Sequence, residues 1–313
     1  MKINIAVLNY NGRALLEECL PSIIEAAANS IYGAKVTVLD NCSTDDSVDF
    51  VKKSFPDVKI YKAKKNLVYC SYNEFFEAVD DDVIFILNSD IKAEKGFVDP
   101  AVACFKRDPD VLFVSSKMYY FDGITYQGDL SRAVDRFGII SADSRFKGYE
   151  GQIEQKGYTF STGNGAFDRK KYLMLRGFDE NYLPGRYEDV DLCYRGWKSG
   201  YKGVYEPASV IYHKGYASFK LVYSDKDIQR DVFRNSILFM IKNFTDRWLL
   251  AKFYFWLFPR LVGFLLTGRV HFIKGFFEAL RRVPGVIKEK RLASVTFKLS
   301  DRDVMEKVGC LDG

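Results

Sequence analysis

INIAVLNYNGRALLEECLPSIIEAAANSIYGAKVTVLDNCSTDD, residues 3–46, decides the fold. An apolar run ending at Asn9 gives way to a helical pattern, LLEECLPSIIEAA, and then to a second apolar run, VTVLD, ending at Asp40. Outward from there the alternation repeats. DDSVDFVKKSF reads as a short helix, VKIYKA as a strand, NEFFEAV as a helix, and VIFILNSD as a strand that runs into polar residues. Strands alternating with helices at this spacing predict an α/β chain with a mostly parallel sheet covered on both faces. Ligands of such sheets bind beyond the carboxyl ends of strands. The polar clusters fall there: Asn9, Asn11 and Gly12 after the first strand, Asp40, Asn41, Ser43, Thr44 and Asp45 after the second, and Asn88, Ser89 and Asp90 after the fourth. One such cluster is ordinary turn chemistry. Three on one edge are harder to dismiss.

The chain has neither GxGxxG after its first strand nor GxxxxGK[ST] anywhere, which argues against a dehydrogenase-type dinucleotide fold and a P-loop. A nucleotide bound here needs carboxylates and a metal to handle its phosphates. Asp40 can accept a hydrogen bond from a base NH, and Asp90 can hold a divalent cation that neutralises a diphosphate. Spacing also allows Asp90 to be a helix N-cap before AEKGFVDPAVACF.

A second dense stretch is RYEDVDLCYRGWKSGYKGVYEPASVIYH, residues 186–213. Glu188, Asp189 and Asp191 precede an amphipathic pattern (Leu192, Cys193, Trp197), which sets carboxylates on a first helical turn, where the dipole favours anions. Gly200 ends that helix, and a strand carries the chain to His213, one of only two histidines. Capping by Glu188 or Asp189 and a packed surface imidazole at His213 account for the same pattern. In STGNGAF, Gly163 and Gly165 are read equally as a tight strand-to-turn passage or as part of a site. Residues 117–157, rich in Tyr, Phe, Gly, Asp and Arg, lack periodicity and read as a mobile acceptor loop.

At 313 residues and 48% hydrophobic the chain can bury a sizeable core. Its six cysteines form no CxxC pair and its amino terminus begins a strand directly, so the expected compartment is the reducing cytoplasm. The net charge of +5 is uneven: residues 246–292 hold ten Lys and Arg against three Asp and Glu. Within that segment, RWLLAKFYFWLFPRLVGFLLTG looks like a membrane span interrupted by Lys252, Pro259 and Arg260. On a helical wheel Lys252 and Arg260 share a narrow sector. In VHFIKGFFEALRRV, His271, Lys274, Glu278, Arg281 and Arg282 share another, with Phe and Leu elsewhere. Basic faces opposite apolar ones suit helices on an anionic membrane surface, here the cytoplasmic face of the inner membrane; packing on the catalytic domain or a partner subunit is the alternative. Nucleic acid is not an expected partner, because the basic residues sit beside apolar surface rather than in a separate patch.

In order, VLNYNG, VLDNCSTDDS, FILNSD, STGNGAFDRKKYLMLRGFDENY, YEDVDLCYR and VIYHKGYAS resemble the family 2 glycosyltransferases of bacterial surface-polysaccharide assembly, rhamnosyltransferase-like members among them. The resemblance covers residues 3 to about 220, and RNSILFMIKNFTD extends it to about 246. It implies a GT-A fold over residues 1–225, with a nucleotide part to about 115 and an acceptor part from 116; the segregated charge and apolar pattern adds a helical, membrane-associating tail over 226–313. The resemblance also implies inverting, metal-dependent transfer of a sugar from a nucleotide-diphosphate donor to a glycan or lipid-linked acceptor. By motif position Asp40 meets the base, and Asn9, Asn11, Ser43 and Asp45 line the nucleotide pocket. NSD occupies the DxD site, with Asp90 and His213 on a divalent metal (Mg2+ or Mn2+). Asp189 is the base, with Gly163 and Glu188 beside the substrate. Asn88 replaces the first Asp of DxD, which lowers the charge offered to a cation. A homo-oligomer is compatible with the sequence. A sugar-nucleotide pyrophosphorylase and a noncatalytic sugar-binding assembly protein are the other two classes that the pattern leaves open.

Overall fold

The structure, a computed structural model, describes residues 1–215, 223–309 and 311–312. Tyr216, Ala217 and Ser218, which end the VIYHKGYAS segment, and Cys310 lie outside the described residues.

The chain alternates as its apolar periods require. β1 (Ile3–Asn9), α1 (Arg13–Asn29), β2 (Lys35–Asp40), α2 (Ser47–Ser54), β3 (Lys59–Lys62), α3 (Tyr72–Ala78) and β4 (Val83–Asn88) form the first half. β1, β2 and β4 are almost wholly buried, as strands of a sheet covered on both faces must be. β5 (Ile91–Ala93), α4 (Val98–Arg107) and β6 (Val111–Tyr119) follow. Phe97 is the residue before α4, so Asp90 caps no helix. Then come β7 (Tyr126–Gly128), β8 (Arg132–Arg136), β9 (Ile139–Asp143), β10 (Gly157–Tyr158), β11 (Gly165–Asp168), α5 (Arg169–Met174), α6 (Glu188–Lys198) and β12 (Lys202–His213). The chain continues with α7 (Asp225–Asn243), α8 (Arg247–Leu266), α9 (Val270–Ser294), α10 (Asp301–Val308) and β13 (Leu311–Asp312).

The main sheet runs β10-β12-β6-β11-β4-β1-β2-β3, with β5 and β7 joined at its side. β3, β2, β1 and β4 are mutually parallel, β12 is parallel to β6, and β11 runs antiparallel between β4 and β6. The α/β fold with a mostly parallel sheet is therefore as expected. Residues 117–157 are a correction: they hold β7, β8, β9 and β10, with β8 and β9 forming a hairpin that β13 extends. These strands of two to five residues are too short to print a period in the sequence.

One apolar cluster reaches from Leu8 and Ile84 in the sheet through Trp197 to Phe233, Phe239, Val286 and Val304. The core thus continues unbroken from the sheet into α7, α9 and α10. Its polar pin is Asp191, wholly buried. Asp191 accepts from Tyr182 Oη at 2.9 Å, Asn243 Nδ2 at 2.7 Å, Arg195 Nε at 2.8 Å and Lys242 Nζ at 2.9 Å. Burial works against its charge, but Arg195 and Lys242 draw the carboxyl down to about 2.

Because removing one partner of a buried ion cluster leaves uncompensated charge, Asp191→Ala is expected to cost about 3–5 kcal/mol in urea unfolding. A carboxyl lowered in the fold stabilises above its unfolded value near 3.9 and loses that contribution as pH falls towards 2. The wild-type excess over the variant should therefore shrink below about pH 4. A loss under about 1 kcal/mol at neutral pH would contradict the assignment.

Candidate active site

Strand register brings the first three clusters together. Asn9 pairs with Asp40 across β1 and β2, and Leu8 with Asn88 across β1 and β4, so all three polar ends leave the sheet at one level. Asn9 Nδ2 donates to Asp40 Oδ1 at 3.2 Å, Ser43 Oγ at 3.0 Å and Ser47 Oγ at 2.9 Å. Asn11, in the left-handed region at φ 49, accepts the amides of Thr44 and Asp45 on Oδ1, and its own amide donates to Ser43. Burial opposes the charge of Asp45, yet bonds from Ser47 and from the amide of Arg13 hold its carboxyl below the ordinary range. Asn9, Asn11, Asp40, Ser43 and Asp45 are thus one hydrogen-bonded group. Gly12 keeps the first loop against the third: a Cβ there would stand 2.7 Å from Asn9 Oδ1 and 3.3 Å from Ser89 Oγ.

The antiparallel β11 enters the sheet at this same edge and delivers STGN to it. Asn164 Oδ1 accepts the amide of Asn88 at 3.1 Å, and the Tyr69 hydroxyl donates to the carbonyl of Gly163 at 2.8 Å. A Cβ on Gly163 would lie 3.1 Å from Asp189 Oδ2, so the glycine abuts that carboxylate. Asp189 heads α6 after two consecutive left-handed residues, Arg186 at φ 77 and Tyr187 at φ 75, a costly conformation for side chains of that size. Asn235 of α7 holds the turn by donating to the carbonyls of Tyr182, Gly185 and Arg186 at 2.7, 2.9 and 2.8 Å.

Three carboxyls cluster here. Burial raises Asp189 above the carboxylate range. Burial and then the charge of Asp189 push Glu188 up to about 8. Glu188 Oε2 is buried without a hydrogen-bond partner among the described residues. Asp129, which receives the Thr162 hydroxyl, is pushed up to about 7 by burial, with Asp189 adding to the shift. Tyr69 is raised far above its usual value by burial, by Tyr72 and by the charges of Asp189, Glu188 and Asp90.

β12 ends opposite β5, and this pairing sets His213 Nε2 3.2 Å from Asp90 Oδ1. His213 Nδ1 meets Gln127 Oε1 at 3.0 Å. With Gln127 as acceptor, Nδ1 carries the proton and the Nε2 lone pair faces a carboxylate, an arrangement completed by a proton or a cation. Asp90 and His213 therefore fit a divalent ion. Among the described residues no group of three or more His, Cys, Asp or Glu could hold one. An ion held by these two side chains would need substrate oxygens and water as its remaining ligands.

The site residues expected from sequence fall in three groups: the Asn9–Asp40 cluster with Asn11, Ser43 and Asp45, the Gly163–Glu188–Asp189 corner joined to Asn88 through Asn164, and the Asp90–His213 pair. The structure adds Tyr69, Gln127, Asp129, Thr162 and Asn164. Only Asn164 and Thr162 lay in a quoted motif. Two cavities, of about 300 and 610 Å3 beside Arg176, Gly177 and Glu180, are bordered by none of Asp90, Asp189 and His213.

The chain matches the glycosyl transferase family 2 profile over residues 4–173, more than half its length, and belongs to that family. The SPbeta prophage-derived glycosyltransferase SunS of Bacillus subtilis (strain 168) is 32% identical over 89 residues, 28% of this chain and 20% of that protein. This chain thus matches about a fifth of the length of that curated relative. Among solved structures, S. aureus TarS 1–349 in complex with UDP-GlcNAc shares 17% identity at a TM-score of 0.60, covering 98% of this chain and 90% of that one. GalNAc-T7 with UDP, GalNAc and Mn2+ shares 16% at 0.61, covering 81% and 50%. Both are GT-A glycosyltransferases, and this chain has their fold.

A carboxyl raised in the fold stabilises below its unfolded value and loses that contribution as pH rises towards the folded one. Wild-type stability is expected to fall from about pH 5 to 8, and Glu188→Gln to flatten that slope in urea titrations. An unchanged slope would show that Glu188 is not held neutral.

Proposed function

We propose that the protein is an inverting glycosyltransferase that moves a sugar from a nucleotide-diphosphate donor to a hydroxyl of a glycan or lipid-linked acceptor at the cytoplasmic face of the membrane. One observation carries the reading: a raised, half-buried Asp189 shares a sheet edge with the Asp90–His213 pair and the Asn9–Asp40 cluster. The UDP-GlcNAc complex of TarS and the UDP, GalNAc and Mn2+ complex of GalNAc-T7 support a nucleotide-sugar donor and a divalent cation.

Asp40 accepts from the base, while Asn9, Asn11, Ser43 and Asp45 shape the nucleotide pocket. Asp90 and His213 hold Mg2+ or Mn2+, which when bound offsets charge on the departing diphosphate. Asp189 accepts the proton of the acceptor hydroxyl as its oxygen bonds to the anomeric carbon. The bond from that carbon to the diphosphate oxygen breaks, and its electron pair leaves with the nucleotide diphosphate. Glu188, pushed up to about 8, is mostly protonated near neutrality, and Asp129, pushed up to about 7, is protonated in part. A protonated Glu188 spares Asp189 an adjacent negative charge.

Asp189→Asn is expected to lower kcat by about 10²–10⁴-fold while calorimetry finds donor affinity within about threefold of wild type. Turnover near wild type would overturn the role. Asp90→Ala should instead abolish the gain in donor affinity that Mn2+ gives; an undiminished gain would remove Asp90 from the cation site.

A further inference from the structure

The tail helices are built inside out. In α8 the two charged residues that share a sector of the wheel, Lys252 and Arg260, turn towards the protein. Lys252 Nζ lies 2.8 Å from Asp135 Oδ2, and Arg260 donates to the carbonyls of Arg136 and Phe137 at 3.0 and 3.1 Å. In α9 the polar sector divides. Glu278 meets Arg234 at 3.3 Å and Arg282 donates to the carbonyls of Asn181 and Leu183, while Lys274 and Arg281 stay exposed. Hairpin carbonyls and a buried carboxylate satisfy the inward cations, which is the physical reason for the reversal.

What α8 presents outward is apolar. Trp248 is 84% exposed, Phe255 69%, Phe258 74% and Leu266 83%, and Phe253 is the one buried side chain of the helix. A surface helix of a globular protein runs the other way round. The β8–β9 hairpin enlarges this face. Its tip residue Phe137 takes a left-handed φ of 52, stays 59% exposed, and packs its ring 5.1 Å from that of Trp256. A Cβ at neighbouring Gly138 would come within 2.7 Å of the Phe253 backbone, so tip and helix are closely joined. Arg247 and Arg269 at the two ends of α8, and Lys274, Arg281, Lys288 and Arg291 on the adjoining α9, are exposed.

We propose that the outer face of α8, with Phe137, docks in the plane of an anionic lipid bilayer, its rings at the boundary between headgroups and acyl chains and the surrounding cations on lipid phosphates. A contiguous exposed apolar face needs a cover, and the cationic rim selects an anionic one. A second copy would bring two segments of net +7 together. A bilayer crossing by α8, long and apolar enough for it, is opposed by Leu249, Leu257, Leu261 and Phe264, which pack on the protein core. The hairpin that meets this face starts at Arg132, three residues after Asp129 of the carboxyl cluster. Docking therefore turns the acceptor side of the sheet edge towards lipid-borne acceptors; that last consequence, unlike the docking, rests on the glycosyltransferase reading.

The test floats the full chain on vesicles of phosphatidylcholine with phosphatidylglycerol and on phosphatidylcholine alone, beside the variant Trp248→Ser/Phe258→Ser/Leu266→Ser, whose positions are exposed enough to leave the fold intact. Expected are flotation on the anionic vesicles, weaker flotation on the neutral ones, and at least about tenfold less for the variant. Absence of flotation, equal flotation of the variant, or a lipid-free dimer that the three substitutions dissolve would overturn docking. Hydrolysis of nucleotide sugar without acceptor, read in parallel, should stay within about twofold in the variant. A chain that hydrolyses but does not float loses the docking alone. One that floats but hydrolyses no nucleotide sugar keeps the docking and loses the enzymatic reading.

Discussion

The buried Asp191 cluster is the constraint on which the rest depends. Asp191 stands two residues after Asp189 on the first turn of α6 and binds side chains from α6, α7 and the segment before α6. Lys242 continues from it to Asp179 at 2.6 Å, and Asn235 on the same helix pins the left-handed turn that enters α6. The position of Asp189 is therefore set by charge pairing in the core, with little freedom to adjust. Such a cluster forms only when α7 is packed in place, so a helix from the carboxyl-terminal part of the chain fixes the start of α6 and with it Asp189.

Around that pin the site divides its electrostatics. On the nucleotide side, hydroxyls and backbone amides surround Asp45 and keep its carboxyl ionised. On the acceptor side, burial outweighs such bonds, and Glu188, Asp189 and Asp129 all rise. One sheet edge thus carries a carboxyl held low at Asp45 and a separate group of carboxyls raised by burial. General base chemistry near neutral pH needs a carboxylate that is more basic than usual, and burial shifts Asp189 in that direction.

Much of this was legible in the residues. The β1–α1–β2 alternation and the strand-end polar clusters are local signals, and parallel register turned them into one edge. The sequence left Asp90 between cap and ligand; β5, inserted before α4, removes the cap. Tyr69, Gln127 and Asp129 carried no signal, because their roles arise from partners 94, 86 and 33 positions away. The Phe137–Gly138 hairpin hid for another reason: phenylalanine is an unusual residue for a left-handed turn position. The wheel of α8 left orientation open, since amphipathic period tells which residues share a face and not which face meets the protein.

The central claim is a single displacement at the anomeric carbon, with Asp189 taking the acceptor proton. The most direct test is the stereochemistry of the product, read from the anomeric proton coupling by NMR after reaction with an α-linked nucleotide sugar of gluco or galacto configuration. The account predicts a β-linked product. An α-linked product would mean that the displaced bond is replaced with retention, and would contradict it.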